Sequence, residues 1–194
     1  MAPKIKKEVY NKLDHISHIL KRSETYVGSK ELDKREDFIA VRDDENSFFT
    51  IRKKYIVYSP AVLRIFIEIL ANALDNVERS KDSDTPVSMI KIVINKETGE
   101  TSIWNDGKII DIEIWDDESE ESQKLKIYNH TLIFGHLLSG SNFNDKVDKL
   151  VSGRNGYGGK LCNVFSSKFI VKGLDPVNKK VLEQVWTENM RKTK

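Results

Sequence analysis

A chain of 194 residues, 39% apolar and 32% charged, has enough material for one hydrophobic core with at most a small appendage. Its net charge of +2 exerts no general pull on nucleic acid, and its one cysteine, Cys162, excludes an internal disulfide and a thiolate metal cluster. No apolar run approaches the roughly 20 residues of a membrane span, and MAPKIKKEVY has no apolar signal segment behind its charges, so an intracellular protein without a membrane partner is expected.

Residues 10 to 22, YNKLDHISHILKR, carry Leu13, Ile16, Ile19 and Leu20 at helical spacing, and a short amphipathic helix is expected there. Gly28 then turns the chain. Residues 31 to 50 are charged and poorly periodic, and no element is read in them; IRKKYIVY, 51 to 58, is a strand or an extended lead-in. Ser59 before Pro60 is a helix start, serine as N-cap and proline at the first position, and the helix runs from about 60 to 79. SMIKIVI and TSIWND, separated by NKETGE, make a hairpin over 88 to 105. DDESEES, 116 to 122, reads as an acidic loop, 127 to 138 as a short helix and 139 to 158 as a Gly/Ser/Asn loop. A helical turn at 159 to 166 precedes a second hairpin, SKFIVKGL and VLEQVWTE. This order favours an α+β two-layer sandwich, with a mostly antiparallel sheet under helices.

The helix over 60 to 79 holds an unusual set. On a helical projection Glu68, Asn72, Asp75 and Asn76 share an arc of about 100°, opposite Phe66, Leu70, Ala73 and Val77. The projection reads as one buried apolar stripe and one presented polar patch. A solvent-facing side explains the patch by geometry alone. Two asparagines in a helix centre are harder to explain, because their side chains compete for backbone hydrogen bonds. A divalent cation held by an amide oxygen, with a carboxylate placed for a water, gives them a purpose.

Two glycine-containing stretches add to this. WNDG, 104 to 107, is either a simple turn or a place where Asp106 accepts from an adenine amino group and Gly107 clears room for the ring. GRNGYGGK, 153 to 160, has four glycines in eight residues, enough for a nest of N–H groups around phosphate oxygens, with Lys160 adding charge and a helix start adding its dipole. A flexible loop without a ligand is the competing reading. The stretch is not a Walker motif, since Leu161 follows the lysine. SGSN, 139 to 142, is either a sugar- or phosphate-contacting turn or a helix end. His15, His18, His130 and His136 make no zinc-like set.

In this order the pieces resemble the N-terminal ATPase domain of eukaryotic-type type II DNA topoisomerases. That domain belongs to a superfamily with gyrase, heat-shock chaperones, histidine kinases and MutL. HISHILKRSETYVGS resembles the family's N-terminal strap, EILANALDN its first nucleotide motif, WNDG its second, and IFGHLLSGSNFND with SGRNGYGGKLCNVFS its lid and third. The resemblance spans about 13 to 190. It implies a Bergerat-type ATP-binding fold, a strap or arm over 1–30, an ATP-binding domain over 31–194, and a following transducer domain that is absent here. It implies ATP and Mg²⁺ as ligands, with Glu68 as general base, Asn72 as metal ligand and Asp106 as adenine reader. Asn76, Asn105, Ser141 and Asn142 correspond to nucleotide contacts, and Arg154, Asn155, Gly156, Tyr157, Gly158 and Lys160 to the phosphate-wrapping loop.

The implied function is the ATP-hydrolysing entry gate of an enzyme that passes one DNA duplex through a break in another. Two domains close as a homodimer on ATP, and the isolated piece hydrolyses weakly or not at all. The nucleus is the implied compartment in a cell, and the host nucleus or a cytoplasmic replication site in a viral setting. Two departures stand out. Gly140 replaces one of a pair of hydroxyl residues before Asn142. Ile109 and Asp111, in NDGKIID, replace the glycine and proline of NDGxGIP, which hints at a distant protist or viral branch. The alternatives are a MutL-like or chaperone clamp with little hydrolysis, a nucleotide-binding module without turnover, and a structural adaptor.

Overall fold

The computed structural model describes residues 11–139 and 157–194. Asp14 begins the first helix by accepting the Ser17 backbone N–H at 3.0 Å, and α1 runs His15–Lys21. Arg22 leaves helical geometry, so the helix read over 10 to 22 occupies His15–Lys21, and a second short helix that the sequence reading did not expect, α2, Ser23–Val27, follows. Both are built into the core. Ile19 and Val27 join Ala61, Leu161, Val164, Trp186 and Met190 in one buried cluster, and Arg191 fastens Asp14 from the far end of the chain at 3.1 Å. Burying a side chain the size of Val164 contributes roughly 1.5–3 kcal/mol.

β1, Asp33–Val41, pairs antiparallel with β2, Thr50–Tyr58. No element is expected over β1, which lies wholly within the charged stretch 31 to 50 and lacks a clear apolar alternation. Its register is held by backbone pairing and by cross-strand contacts such as Lys53 with Glu36 at 2.6 Å. The long helix α3 is Pro60–Ser80, and its N-cap Ser59 accepts from Val62 as the sequence predicts. β3, Ile90–Ile94, and β4, Thr101–Asn105, form the first expected hairpin. The acidic loop contains a short helix, α4, Glu120–Leu125, capped by Ser119 and charged favourably at both ends. α5, Asn129–Gly135, and α6, Gly158–Phe165, lead into β5, Lys168–Asp175, and β6, Lys180–Thr187, which pair as expected; β7 is Lys192–Thr193.

Every strand pairing among the described residues is antiparallel. The helices cover β5–β6, where Phe169 lies between Phe134 of α5 and Trp186 with ring centroids 6.1 and 5.9 Å away. α6 sits between α3 and α5, and its buried Asn163 donates to the Phe134 carbonyl at 2.9 Å. This arrangement sets the start of α6 against the middle of α3. Among the described residues, no helix is long and apolar enough to cross a membrane.

The burial of α3 corrects the expectation from the helical projection. Its polar side packs against α6, with Asp75 buried and Glu68, Asn72 and Asn76 half-buried. Its apolar side is mixed among the described residues: Ala73 is buried and Phe66 and Leu70 half-buried, while Val77 is exposed, as are Val62 at 61% and Leu74 at 53%. That side borders a groove of about 660 Å³ walled by Ile56, Tyr58, Val62, Leu63, Phe66 and Ile94. The projection identifies the two stripes; which stripe meets a neighbour depends on α6, whose first residues lack side chains and admit the polar side.

Candidate functional site

The closest approach of α3 to α6 is made by glycines. A Cβ placed on Gly158 would lie 2.7 Å from Glu68 Oε2, well inside contact distance, and one on Gly159 would lie 3.1 Å from Asn72 Nδ2 and 3.2 Å from the Phe134 ring. Only a bare backbone lets the Glu68 carboxylate sit against the first residue of a helix, where unbonded N–H groups and the positive end of the dipole gather. Glu68 Oε1 is held by Arg64 Nη2 at 2.6 Å, one turn earlier on α3, and the Glu68 side chain is 20% exposed. Asn72, one turn later, has no hydrogen-bond partner among the described residues, so its amide is open to an incoming ligand. The structure therefore brings Glu68 and Asn72 against Gly158 and Gly159, which the sequence places some 90 residues away.

Lys160, the third residue of α6, is buried at 3% exposed, and its ammonium donates to the Ser139 carbonyl. Burial pushes its pKa down to about 8, because a charge away from water is costly. Tyr157, the N-cap residue of α6, turns its ring into the core beside Tyr26, 5.9 Å between centroids. Gly158, read as the last residue of a loop, is the first residue of α6, and Gly159 is helical as read. Ser141, Asn142, Arg154, Asn155 and Gly156 lie outside the described residues.

The far end of the site is the turn after β4. Asp106 Oδ1 accepts the backbone N–H groups of Ser88 and Met89, both at 2.8 Å, and Oδ2 accepts the Ser88 hydroxyl at 2.6 Å. The Ser88 hydroxyl first, then the Met89 N–H, holds the carboxyl below the usual carboxylate range. Three bonds leave room for about one more on a carboxylate with four acceptor positions, so Asp106 fixes the turn and can still receive one donor. Gly107, at φ +87°, would drive a Cβ to 2.7 Å from the Val87 backbone N. The room that the sequence reading assigned to a ring is thus filled by Val87, and the backbone alone requires glycine. Asn105 donates to the Asp106 carbonyl at 2.7 Å, and Asn76 of α3 donates to the Lys108 carbonyl at 2.9 Å, tying the turn that carries Ile109 to the helix. Asn76 and Asn105 are in this way structural as well as candidate ligand contacts.

Sequence reasoning missed Arg64 and Ser88, and counted Gly159 in the glycine nest without a role of its own. Arg64 was findable, standing four residues before Glu68 on the same face. Ser88 and Gly159 show their roles only through tertiary contact. Among the described residues no cluster of three or more His, Cys, Asp or Glu could hold a metal. A hard cation bound here would draw on the Asn72 amide oxygen and on the oxygens of its ligand, a donor set that suits Mg²⁺.

No protein-family profile matches the chain. The chain is 44% identical over 195 residues to DNA topoisomerase 2 of Invertebrate iridescent virus 6, covering 100% of this chain and 17% of that protein. It is 41% identical to DNA topoisomerase 2 of Penicillium chrysogenum, covering 95% of this chain and 11% of the other. Among solved structures, the ATPase region of Saccharomyces cerevisiae topoisomerase II superposes with a TM-score of 0.81 at 38% identity, over 95% of this chain and 46% of that one. The ATPase and transducer domains of Balamuthia mandrillaris DNA topoisomerase II give 0.82 at 34% identity, over 98% and 45%. The chain thus spans less than a fifth of the curated relatives and under half of the solved ATPase regions. Full-length similarity of this chain, in sequence and in fold, places it among the ATPase regions of type II DNA topoisomerases.

Proposed function

We propose that the chain binds ATP with Mg²⁺ between the polar side of α3 and the glycine start of α6, and that in the whole protein this site hydrolyses ATP to drive closure of a DNA gate. The observation that carries the reading is the seat of the Glu68 carboxylate on Gly158, beside a helix N-terminus and within the same face as Asn72. The helix end stabilises an acid placed there, and an acid that faces a phosphoryl group at the same spot can also act on water.

Glu68 accepts the proton of a water and directs it at the terminal phosphorus. The α6 N–H groups and Lys160 face the charge that gathers on the phosphoryl oxygens, and Asp106 takes a donor from the base. Mg²⁺, held through Asn72, would neutralise phosphate charge. Residues 31–194 form the nucleotide-binding unit in this reading, and 1–30 the arm that reaches a second copy; of that stretch, residues 15–27 are built into the chain's own core. DNA and the second copy are engaged by the whole protein, in the compartment where that DNA is kept. The sequence departure at Ile109 lies on the turn fixed by Asn76 and Asp106, so its effect falls on base recognition rather than on phosphate handling.

Titrating a non-hydrolysable ATP analogue with Mg²⁺ at several pH values tests the reading through Lys160. A group whose pKa in the free chain is about 8 carries its charge below that pH and loses it above. A bound polyanion favours the charged form. Affinity is expected to fall about tenfold between pH 7 and pH 9, and Lys160→Met should flatten that profile. An affinity that is flat or rises with pH in the unmodified chain would remove Lys160 from the site.

A further inference from the structure

Four side chains on α3 stand at successive four-residue intervals on one face: Arg64, Glu68, Asn72 and Asn76. Asn72 and Asn76 are accounted for by the proposed metal and by the β4 turn. Arg64 is not. It is 59% exposed at its side chain, lies at the rim, and donates to Glu68 Oε1 at 2.6 Å. Helix stability does not explain it well, since the order Arg before Glu opposes the helix dipole and exposed pairs of this spacing contribute about 0.3–0.5 kcal/mol.

The two oxygens of Glu68 have different surroundings. Oε1 is engaged by the guanidinium. Oε2 rests over Gly158, 2.7 Å from where a Cβ would be, at the opening of α6. A carboxylate held at one oxygen has its plane set, and its second oxygen is kept at the helix opening. Among the described residues no other donor holds Oε1, so without the guanidinium the side chain is free to turn toward solvent at the rim of α3.

We propose that Arg64 is a positioning residue for ATP hydrolysis, holding Glu68 by Oε1 so that Oε2 is the oxygen that takes the proton from water. This rests on the reading of Glu68 as the base. Arg64 acts on the orientation of the carboxylate and does not touch the nucleotide. A positioning loss therefore appears in kcat, whereas a binding loss would appear in KM and in the Kd of the analogue.

The test compares Arg64→Ala and Arg64→Lys in the whole protein, measuring steady-state ATP turnover and the Kd of a non-hydrolysable ATP analogue, with the Tm recorded for each. Arg64→Ala is expected to lower kcat about tenfold and leave KM and Kd within about twofold. Arg64→Lys, which keeps a point charge without the planar fork, should recover part of that loss. An unchanged kcat in Arg64→Ala overturns the proposal, and so does a Kd weakened about tenfold, which would make Arg64 a nucleotide contact. The Glu68→Gln variant keeps the two claims apart. If it turns over normally, the base assignment itself has failed; if it is dead while Arg64→Ala is normal, only the positioning role has.

Discussion

Glu68→Gln should stop ATP turnover in the whole protein while leaving nucleotide binding nearly intact. The amide keeps the size of the carboxylate and can still accept from Arg64 through its oxygen, so the packing on Gly158 is preserved. What is lost is the ability to take a proton. General-base contributions are typically about 10²–10⁴-fold, and a fall of at least about 100-fold in kcat is expected. Removing a negative charge next to a triphosphate should hold or slightly tighten the Kd of a non-hydrolysable analogue. Phosphate release and analogue titration on the same preparation separate the two effects. Turnover within a few-fold of the unmodified protein would eliminate Glu68 as base, and with it the mechanistic meaning of the α3–α6 contact.

Asn72→Ala should weaken Mg²⁺-dependent binding and spare the rest. The Asn72 amide has no protein partner to lose among the described residues, so truncation leaves no orphaned group and costs little stability. Its loss removes the single protein oxygen proposed for the cation. Affinity for the analogue with Mg²⁺ is expected to drop about tenfold or more, equivalent to about 1.4 kcal/mol, and to change little when the metal is chelated. Calorimetry with and without a chelator reads both values. Equal loss in both conditions would mean that Asn72 contacts the nucleotide rather than the metal, and no loss in either would remove it from the site.

Much of this arrangement was legible in the residues, and for local reasons. Ser59 and Pro60 mark the start of α3 because capping and a fixed φ are properties of those residues themselves. The hairpins over Ile90–Asn105 and Lys168–Thr187 carry β-branched runs around polar turns, which is also local. β1 was illegible because its partly buried face carries Asp33 and Asp37 beside Ile39 and Val41 while Phe38 lies on the exposed face, so no apolar alternation marks it. The helix in the acidic loop was missed although Ser119, Glu120, Glu121 and Lys124 are cap and dipole signals; the density of charge hid them.

The candidate site shows the same division. That Glu68, Asn72, Asp75 and Asn76 share a face follows from 3.6 residues per turn. That this face turns inward does not follow, because it depends on two glycines some 90 positions away that let α6 approach. Asp106 was read as an adenine acceptor or as part of a simple turn, and the sequence could not show that Ser88 and Met89 already occupy most of its acceptor capacity. Gly107 was read either as part of a simple turn or as room for a ring, and its own positive φ and Val87 already require glycine for the turn.

A crystal structure of the chain with Mg²⁺ and a non-hydrolysable ATP analogue tests the central claim most directly. Density for the triphosphate is expected at the first turn of α6, with the terminal phosphate facing Glu68 and the cation on the Asn72 side chain. Analogue seated instead in the apolar groove between β2 and α3, or on any surface that leaves Glu68 and Gly158 uncovered, would contradict it.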